Sequence, residues 1–328
     1  MPELRRDPII GRWIIVATER GARPSDFKHS EEKPEDPEQC PFCPGHEDRT
    51  PPQITAVNGE GNSWQVRVVP NKYPALSAEG FLNRQGEGMY DRMEGVGLHD
   101  VVIETPSHFQ LPDEMDEKHM EAILRVYRDR IVELRKDRRI QYVIIFKNHG
   151  RAAGASLSHP HSQIIALPMV PIRVRQEMTG AKAYYEYKER CVFCDMIREE
   201  QSAGKRIVGE NCDFLAVEPY ASRFPFETWI IPKNHSGHFE EMREDEISSL
   251  AGVLKTVLGK LRRTISNPPF NFMVHTTPIR EPQTTYYHWH MEIMPKLSHV
   301  AGFEWGTGFY INTVQPEQAA EFLNSGQQ

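Results

Sequence analysis

The sequence predicts an α+β fold built from two related modules in tandem. The segments VVIETPSHFQLPDEM and TWIIPKNHSGHFEEM both read as a strand, a turn with a histidine, and an acidic helix start that ends in methionine. Each is followed by an amphipathic helix, a strand and a histidine pair, HPHSQ in the first case and HWHME in the second. Repetition of a whole unit indicates repeated modules. We expect each module to be an antiparallel sheet with packed helices, and the two sheets to merge edge to edge into one extended sheet.

The spacing of the histidines supports the repeat. Aligning the two segments places His108 on His235, each seven residues before its methionine. From His108 to His159 is 51 residues, and from His235 to His288 is 53. The two halves therefore carry the same order of elements.

The length fits two modules of similar size. At 328 residues the chain is longer than one typical core requires. We place the N-terminal module, with the first histidine pair, at residues 1–178 and the C-terminal module at residues 179–328. The 25 prolines indicate many loops and strand ends.

Each element of a module follows from its hydrophobic period. Helices are predicted at residues 117–136 and 244–263, and strands at 140–148 and 270–275. The stretch SHPHSQIIALP, residues 158–168, reads as a further strand. Because alternate side chains of a strand share one face, we expect His159, His161 and Gln163 to lie together.

Composition and charge exclude several classes of partner. The net charge is −7, which argues against a sequence-independent grip on nucleic acid or on an anionic membrane. The N-terminus lacks an uninterrupted apolar region, and no run approaches the ~20 apolar residues of a membrane span. We expect a cytoplasmic protein that binds a small molecule.

Four of the five cysteines form two CxxC pairs, Cys40 with Cys43 and Cys191 with Cys194. A CxxC pair can be redox-active, but neither pair has the βαβ setting of thioredoxin-like proteins. A turn with two thiolates is a common half of a tetrahedral zinc site, so we favour metal over redox chemistry. The repeat offers each pair two histidines as further ligands. Cys212 is expected to be a buried small hydrophobic residue.

At this point the chain resembles the galactose-1-phosphate uridylyltransferase family, the double-module branch of the histidine-triad superfamily. The motifs that carry the resemblance span nearly the whole chain: ERGARP, CPFCPG, PNKYPAL, TPSHFQLPDEM, KNHGRAAGASLSHPHSQI and the HWH of the second half. The resemblance implies two histidine-triad-like modules, nucleotidyl transfer, nucleotide-sugar and sugar-phosphate substrates, and a homodimer.

The resemblance also implies roles for individual residues. In the first half these roles are a structural zinc site at Cys40, Cys43, His108 and His159, a nucleophile at His161, and an amide at Gln163 in place of a third histidine. Substrate contacts are implied for Arg20, Arg23, Asn71, Asn148, Ser156 and Gln163. A neutral imidazole is a good nucleophile near pH 7 and can form a covalent nucleotidyl intermediate, so that transfer proceeds in two steps. An amide carries no titrating proton, which favours transfer over hydrolysis.

Two metal arrangements are open for the second half. Cys191, Cys194, His235 and His288 repeat the ligand types of the first site and predict a second zinc. Some family members instead hold iron on a glutamate and three histidines, which match Glu177, His275, His288 and His290.

A second active centre is not expected. His290 occupies the place of the nucleophile, but Trp289 and Glu292 depart from the first motif, so we assign His290 a structural role. The remaining histidines, His99 among them, are taken as surface or packing residues.

The substrate is less constrained than the chemistry. The leading expectation is transfer of UMP from UDP-glucose to galactose 1-phosphate, in galactose metabolism. The alternative is transfer of an adenylyl group from an ADP-sugar or adenylyl sulfate to phosphate. The turn at Asn71, Lys72 and Tyr73 departs from the Asn-Asp-Phe of well-known uridylyltransferases, and the tail GFEWGTGFYINTVQPEQAAEFL is closer to enzymes that act on ADP-sugars. A zinc-stabilised nucleotide-binding protein without turnover is the third possibility.

Overall fold

The computed structural model describes residues 2–17, 27, 35–59, 61, 63–281 and 284–326. Their strands are β1 Glu3–Arg6, β2 Trp13–Val16, β3 Thr55–Asn58, β4 Trp64–Pro70, β5 Gln85–Glu87, β6 Tyr90–Arg92, β7 Leu98–Ile103, β8 Tyr142–His149, β9 His161–Leu167, β10 Ile207–Glu210, β11 Phe214–Val217, β12 Thr228–Pro232, β13 Phe270–His275, β14 His290–Pro295 and β15 Tyr310–Asn312. Their helices are α1 Glu117–Leu134, α2 Ile172–Lys188, α3 Val192–Ala203, α4 Glu244–Ile265, α5 Gly302–Thr307 and α6 Pro316–Ser325.

One ten-stranded sheet organises the chain, in the order β10-β11-β12-β14-β13-β8-β9-β7-β4-β3. Read outward from its centre, each half has the same arrangement, with β8, β9, β7, β4 and β3 matched by β13, β14, β12, β11 and β10. The strands β8 and β13 pair antiparallel and join the halves. The predicted α+β fold, with two histidine-triad-like modules merged into one sheet, is confirmed.

The helices α1 and α4 cover one face of this sheet, which we call the helix face. The side chain of Asp116 caps α1 by accepting a hydrogen bond from the His119 amide. Apolar residues recur along α1 at Met120, Ile123, Tyr127 and Ile131, and all four are buried in a core cluster shared with α4. Burial of both amphipathic helices against one sheet explains why the two halves fold as a continuous unit.

The opposite face carries the histidine pairs, and we call it the histidine face. On β9, Ile164 and Ala166 join the core of the helix face, so His161 and Gln163 point the other way. In the second half, α2 and α3 pack over this face and bury Val174, Met178, Phe193 and Ile197 against it.

The helix α2 spans the predicted module boundary between residues 178 and 179. The first half therefore supplies the start of a helix that covers the second. Where one module ends and the next begins stays a prediction.

Two local expectations need correction. The strand β9 begins at His161, so His159 lies outside it and only His161 and Gln163 share its alternation. The rings of both histidines still meet Phe42, with centroids 6.0 and 5.4 Å from its ring. Cys212 is exposed rather than buried, because it lies in the turn before β11 and its Sγ contacts the Asp213 carboxylate at 2.9 Å.

A smaller sheet ties together segments from both ends of the sequence. The strands β1 and β2 pair antiparallel, and β15 pairs with β2 in parallel, with Ile311 opposite Ile15. Within the described part of the chain, no helix is long and apolar enough to cross a membrane.

Candidate active site

Four side chains converge beside the start of β9. Cys40, Cys43, His108 and His159 are all buried, and their ligand atoms lie within 4.8 Å of one another. The Sγ of Cys43 is 3.3 Å from Nδ1 of His108 and 3.6 Å from Nδ1 of His159. The structure therefore brings together the four residues that the sequence predicts as a metal site.

Hydrogen bonds on the far side of each ring orient these imidazoles. The Nε2–H of His159 donates to the carbonyl oxygen of Thr105 at 2.8 Å, and Nε2 of His108 is 3.2 Å from the Ser158 hydroxyl. Both rings consequently turn Nδ1 toward the thiols. A ring held in this way by its second nitrogen is typical of a metal-binding histidine.

The electrostatics of the cluster favour a bound cation. Burial lowers the pKa of His159 to about 4, so its ring is neutral and can act as a ligand. Burial, together with the neighbouring Cys40 thiol, raises the pKa of Cys43 to about 11. Two buried thiolates side by side need a positive charge between them, which a divalent metal supplies. Two thiols with two imidazoles form a donor set that suits zinc.

His161 opens β9 immediately after this cluster. Its Nδ1–H donates to the carbonyl oxygen of His159 at 2.8 Å. That bond leaves the lone pair on Nε2, so Nε2 is the nucleophilic atom. Burial lowers the pKa of His161 below its ordinary value, and the nearby Lys147 ammonium also lowers it. The ring is therefore neutral at pH 7.

Gln163 lies two residues further on the same face and is half-buried. Its Oε1 accepts a hydrogen bond at 2.8 Å from Nε2–H of His99. The amide of Ala75 donates to Nδ1 of His99 at 3.2 Å, which places the ring proton on Nε2. With its oxygen held by His99, the side chain of Gln163 turns its NH₂ group outward as a donor.

Sequence reasoning took His99 for a packing residue, and the structure corrects this. His99 lies on β7 opposite Ile165 of β9, next to the strand that carries the nucleophile. It has no partner in the sequence repeat, so the alignment of the two halves gave it no role.

The other predicted substrate contacts lie at the rim of this region or outside the described residues. The Oδ1 of Asn71 accepts from the Tyr73 amide at 2.8 Å, which closes a turn. Asn148 is half-buried and its Oδ1 accepts from Asn271 at 2.8 Å, whereas Ser156 is exposed. Arg20 and Arg23 lie outside the described residues. Substrate binding by these five residues stays a prediction.

The second half has a matching cysteine and histidine cluster. The ligand atoms of Cys191, Cys194, His235 and His288 lie within 4.8 Å of one another. Nδ1 of His288 is 3.4 Å from Sγ of Cys191, and Nδ1 of His235 is 3.6 Å from Sγ of Cys194. The Nε2–H of His235 donates to the Thr284 carbonyl at 2.9 Å, so this ring is oriented like those of the first cluster.

Three of the four residues predicted for the alternative iron site, Glu177, His275 and His290, come together in the structure. His288 belongs to the cysteine cluster, and Glu292 instead joins Glu177, His275 and His290 in a buried group. Glu292 is already paired with Arg223 at 2.6 Å. Although burial opposes protonation, Glu177 and Glu292 raise the pKa of His275 to about 9. The second half therefore contains two groups of possible metal ligands, one of cysteines with histidines and one of carboxylates with histidines.

His290 resembles His161 in its backbone but not in its surroundings. Its Nδ1 is 3.3 Å from the carbonyl oxygen of His288, as in the first half. The ring is stacked on Trp229 at 5.0 Å and on His275 at 4.9 Å, and Phe193 of α3 lies 5.2 Å away. No substrate can approach a ring enclosed in this way.

Comparison with known families identifies the family to which this fold belongs. The family model described as galactose-1-phosphate uridyl transferase, N-terminal domain, matches residues 1–171, more than half of the chain. The chain belongs to the galactose-1-phosphate uridylyltransferase family. The resemblance carried by its motifs is confirmed, and the chain is a member of a nucleotidyltransferase family. A domain of unknown function (DUF4921) also matches residues 106–325.

Curated relatives in the uridylyltransferase family align over almost the whole chain. An ADP-glucose phosphorylase from Arabidopsis thaliana is 41% identical over 98% of this chain and 92% of its own length. A galactose-1-phosphate uridylyltransferase from Thermotoga maritima is 32% identical over 98% of both chains.

Solved structures agree with these relatives. An ADP-glucose phosphorylase from Arabidopsis thaliana, solved with bound ADP-glucose, superposes with a TM-score of 0.83 at 38% identity over 98% of both chains. A uridylyltransferase superposes with a TM-score of 0.79 at 30% identity, over 99% of this chain and 98% of the other.

Proposed function

We propose that the protein transfers a nucleotidyl group from a nucleotide sugar through a covalent bond to His161. The observation that carries this proposal is the fixed tautomer of His161, with Nδ1–H bonded to the His159 carbonyl at 2.8 Å and the lone pair on Nε2. In the first step, Nε2 bonds to the α-phosphorus and the bond from that phosphorus to the bridging oxygen breaks, releasing the sugar 1-phosphate. In the second step, an oxygen of the acceptor phosphate bonds to phosphorus and the N–P bond breaks.

Gln163 has a distinct role in this scheme. Its NH₂ group, turned outward by the His99 bond to Oε1, donates to a phosphoryl oxygen as negative charge develops there. An amide at this position cannot remove a proton from water. The enzyme consequently passes the nucleotidyl group to a phosphate acceptor in preference to hydrolysing the intermediate.

We further propose that both cysteine and histidine clusters hold zinc. The convergence of two thiols and two imidazoles in each half, and the rings of His159 and His235 oriented through their second nitrogen, support this assignment. When bound, the first zinc would cross-link the Cys40 turn to the start of β9 and so fix the backbone that carries His161. The role of each metal is structural, since all four ligands come from the protein.

The donor that we favour is ADP-glucose, with inorganic phosphate as acceptor. The supporting observation is the 41% identity to an ADP-glucose phosphorylase, against 32% to the uridylyltransferase of Thermotoga maritima. Transfer from UDP-glucose to galactose 1-phosphate, which the motifs alone place first, is the second candidate and is favoured by the family match.

Mass spectrometry of the intact protein tests the function and the donor together. The protein is exposed separately to ADP-glucose and to UDP-glucose without acceptor, then measured before and after addition of phosphate or galactose 1-phosphate. We expect an adenylyl adduct on His161 that phosphate removes as ADP. A uridylyl adduct that galactose 1-phosphate removes would establish the second candidate. A protein that binds these nucleotides but carries no adduct with either donor would show a binding function without turnover.

We also propose that the protein is a homodimer and that it lies in the cytoplasm. Phe303 and Trp305 on α5 are 43% and 79% exposed in the single chain, and aromatic side chains of this kind are enriched at protein interfaces. Sedimentation at micromolar concentration should give a dimer, and cell fractionation tests the location.

A further inference from the structure

Four polar side chains are buried on the helix face beneath the nucleophile. Glu104, Tyr127, Lys147 and Ser162, which we call the buried polar network, are each about 1% exposed. They come from four separate parts of the first half: the end of β7, α1, β8 and β9. Burying charged groups costs free energy that is recovered only through close pairing.

The network is completely hydrogen-bonded. The ammonium of Lys147 donates to Oε2 of Glu104 at 2.5 Å. The Tyr127 hydroxyl lies 3.0 Å from Oε1 of Glu104 and 2.7 Å from Oγ of Ser162, so it donates to the carboxylate and accepts from the serine. Although burial acts to raise it, the pKa of Glu104 is lowered by Lys147, and the pair is ionised.

The network reaches the nucleophile through its backbone. The Nζ of Lys147 also donates to the carbonyl oxygen of His161 at 3.1 Å. Ser162, the next residue, is held through Tyr127. The peptide unit that follows His161 is therefore fixed at two points on the helix face. The ring of His161 is fixed on the opposite side by its bond to the His159 carbonyl.

The second half has no counterpart to this network. Val102 of β7 lies opposite Ser162, and Ile230 of the matching strand β12 lies opposite Met291. The sheet register therefore matches Ser162 to Met291 and Val102 to Ile230. By the same register, Glu104, two residues after Val102, matches Pro232. Phe146 lies opposite Gln163, so the next residue, Lys147, takes the place opposite Ser162. Val274 takes the same place opposite Met291 and therefore matches Lys147.

The remaining member of the network, Tyr127, matches Leu254 when the two methionines before the helices are aligned. All four counterparts are thus apolar in the half to which no nucleophile is assigned. The same sheet position folds without any ionic group, so fold stability does not require the network.

We propose that the buried polar network, with Lys147 at its centre, is a positioning device for the nucleophile His161. This inference rests on the proposed function, because it assigns the network a role in the transfer step. A fixed backbone at the nucleophile keeps Nε2 in line with the reacting phosphorus, and displacement by ~1 Å can cost about a hundredfold in rate. Lys147 touches neither donor nor acceptor in this role.

The double variant Glu104→Leu/Lys147→Met tests the proposal by giving the first half an apolar interior like that of the second. We expect the rate constant for formation of the adduct to fall at least about tenfold. The dissociation constant of the donor should stay within about twofold, and the melting temperature should not fall. A loss of general stability would lower the melting temperature and weaken donor binding as well.

Asp100→Leu/Arg130→Met is the matched control. These two residues also form a buried ion pair between β7 and α1, at 2.6 Å, but their side-chain hydrogen bonds go to each other and to Glu133 rather than to the backbone of the nucleophile. The control should label at the wild-type rate. Equal slowing in the control, or wild-type labelling in the test variant, would overturn the proposal.

Ser162→Ala keeps the test decisive if the double variant does not fold. Loss of one hydroxyl should slow adduct formation about threefold without changing donor affinity. A wild-type rate in this variant would show that Ser162 does not help to position the nucleophile, against the proposal. Failure of the wild-type protein to form any adduct would overturn the proposed function and this inference together.

Discussion

The two histidine pairs occupy the same place in two copies of one fold, yet their surroundings differ. His161 follows a loop that contributes the first cysteine cluster, and its neighbour Gln163 is half-buried. In the second half, α2 and α3 cover the histidine face, His290 is completely buried, and Glu292 is 1% exposed. The difference is one of cover rather than of backbone, since both rings place Nδ1 near the carbonyl two residues earlier.

This contrast shows how a duplicated module can keep its architecture while losing its site. The cluster of two cysteines and two histidines is present in both halves. The residues around the second histidine of each pair differ. Gln163 of the first half is replaced by Glu292, and the buried polar network is replaced by apolar residues.

The largest effect should come from substitution of His161, compared with substitution of its counterpart His290. His161→Gly should lower adduct formation by at least about three orders of magnitude, since no other group can bond to phosphorus. His290→Gly should leave labelling intact. Both variants are followed by intact mass after exposure to donor, with metal content as a control that should not change.

Free imidazole sharpens this result. It can enter the space left in the His161→Gly variant and attack the donor, which restores donor cleavage without a protein-bound adduct. Continued covalent labelling of histidine in this variant would show that another residue is the nucleophile.

Exchange of the residue two positions after His161, compared with the same exchange after His290, should give the next largest effect. Gln163→Glu places a negative charge where a donor is needed against a phosphoryl oxygen, and we expect the labelling rate to fall about a hundredfold. Glu292→Gln should leave labelling unchanged but lower the melting temperature, because it weakens the pair with Arg223. Rapid-quench labelling and thermal unfolding separate the two outcomes. Equal labelling rates in Gln163→Glu and wild type would contradict the role of the amide.

The metal clusters provide a third comparison. Cys43→Ser and Cys191→Ser should each lose about one zinc per chain and lower the melting temperature, since a structural zinc contributes folding free energy. Only Cys43→Ser should also slow labelling, by about tenfold, because its cluster lies against the strand of the nucleophile. Metal analysis by mass spectrometry checks the first outcome. Abolished labelling in a folded Cys191→Ser protein would make the second half catalytic.

The smallest effect concerns two buried carboxyl groups on the helix face. Burial raises the pKa of Glu218 well above its usual range, and its Oε2 has no hydrogen-bond partner in the described structure. The folded state therefore holds a proton that the unfolded chain releases above about pH 4.5, and stability falls as the pH rises from there.

Glu218→Gln should consequently stabilise the protein at pH 8 by about 1 kcal/mol or more and have little effect at pH 4. The same change at Glu104, whose pKa is lowered by Lys147, should destabilise at pH 8. Denaturant unfolding at the two pH values tests both. A change in stability of the same sign at pH 8 in both variants would show that the two carboxyl groups do not differ as described.

The sequence predicts the repeated parts of this molecule well. The helix predicted at residues 117–136 is found at Glu117–Leu134, and the strand predicted at 270–275 is found at Phe270–His275. Strong amphipathic periods and the internal alignment fix these elements, and they also bring the two cysteine pairs to their histidines.

Features outside the repeat were harder to predict. The cover of the second histidine face depends on α2, whose buried apolar stripe is only Val174, Met178 and Ala181 among many charged residues. The sequence leaves His288 open between two metal arrangements, and the structure places it with the cysteines. The bond from His99 to Gln163 joins residues 64 positions apart, which no local pattern indicates.

The parallel pairing of β15 with β2 has a consequence for synthesis in the cell. Tyr310 lies beside Ile14, so 296 residues separate partners in one small sheet. At elongation rates of about 5–20 residues per second, the early strand waits roughly 15–60 s for its neighbour. Throughout that interval β2 presents an unpaired edge, a known hazard for association with other chains. A nascent chain of this protein should therefore benefit from chaperone protection until β15 has left the ribosome.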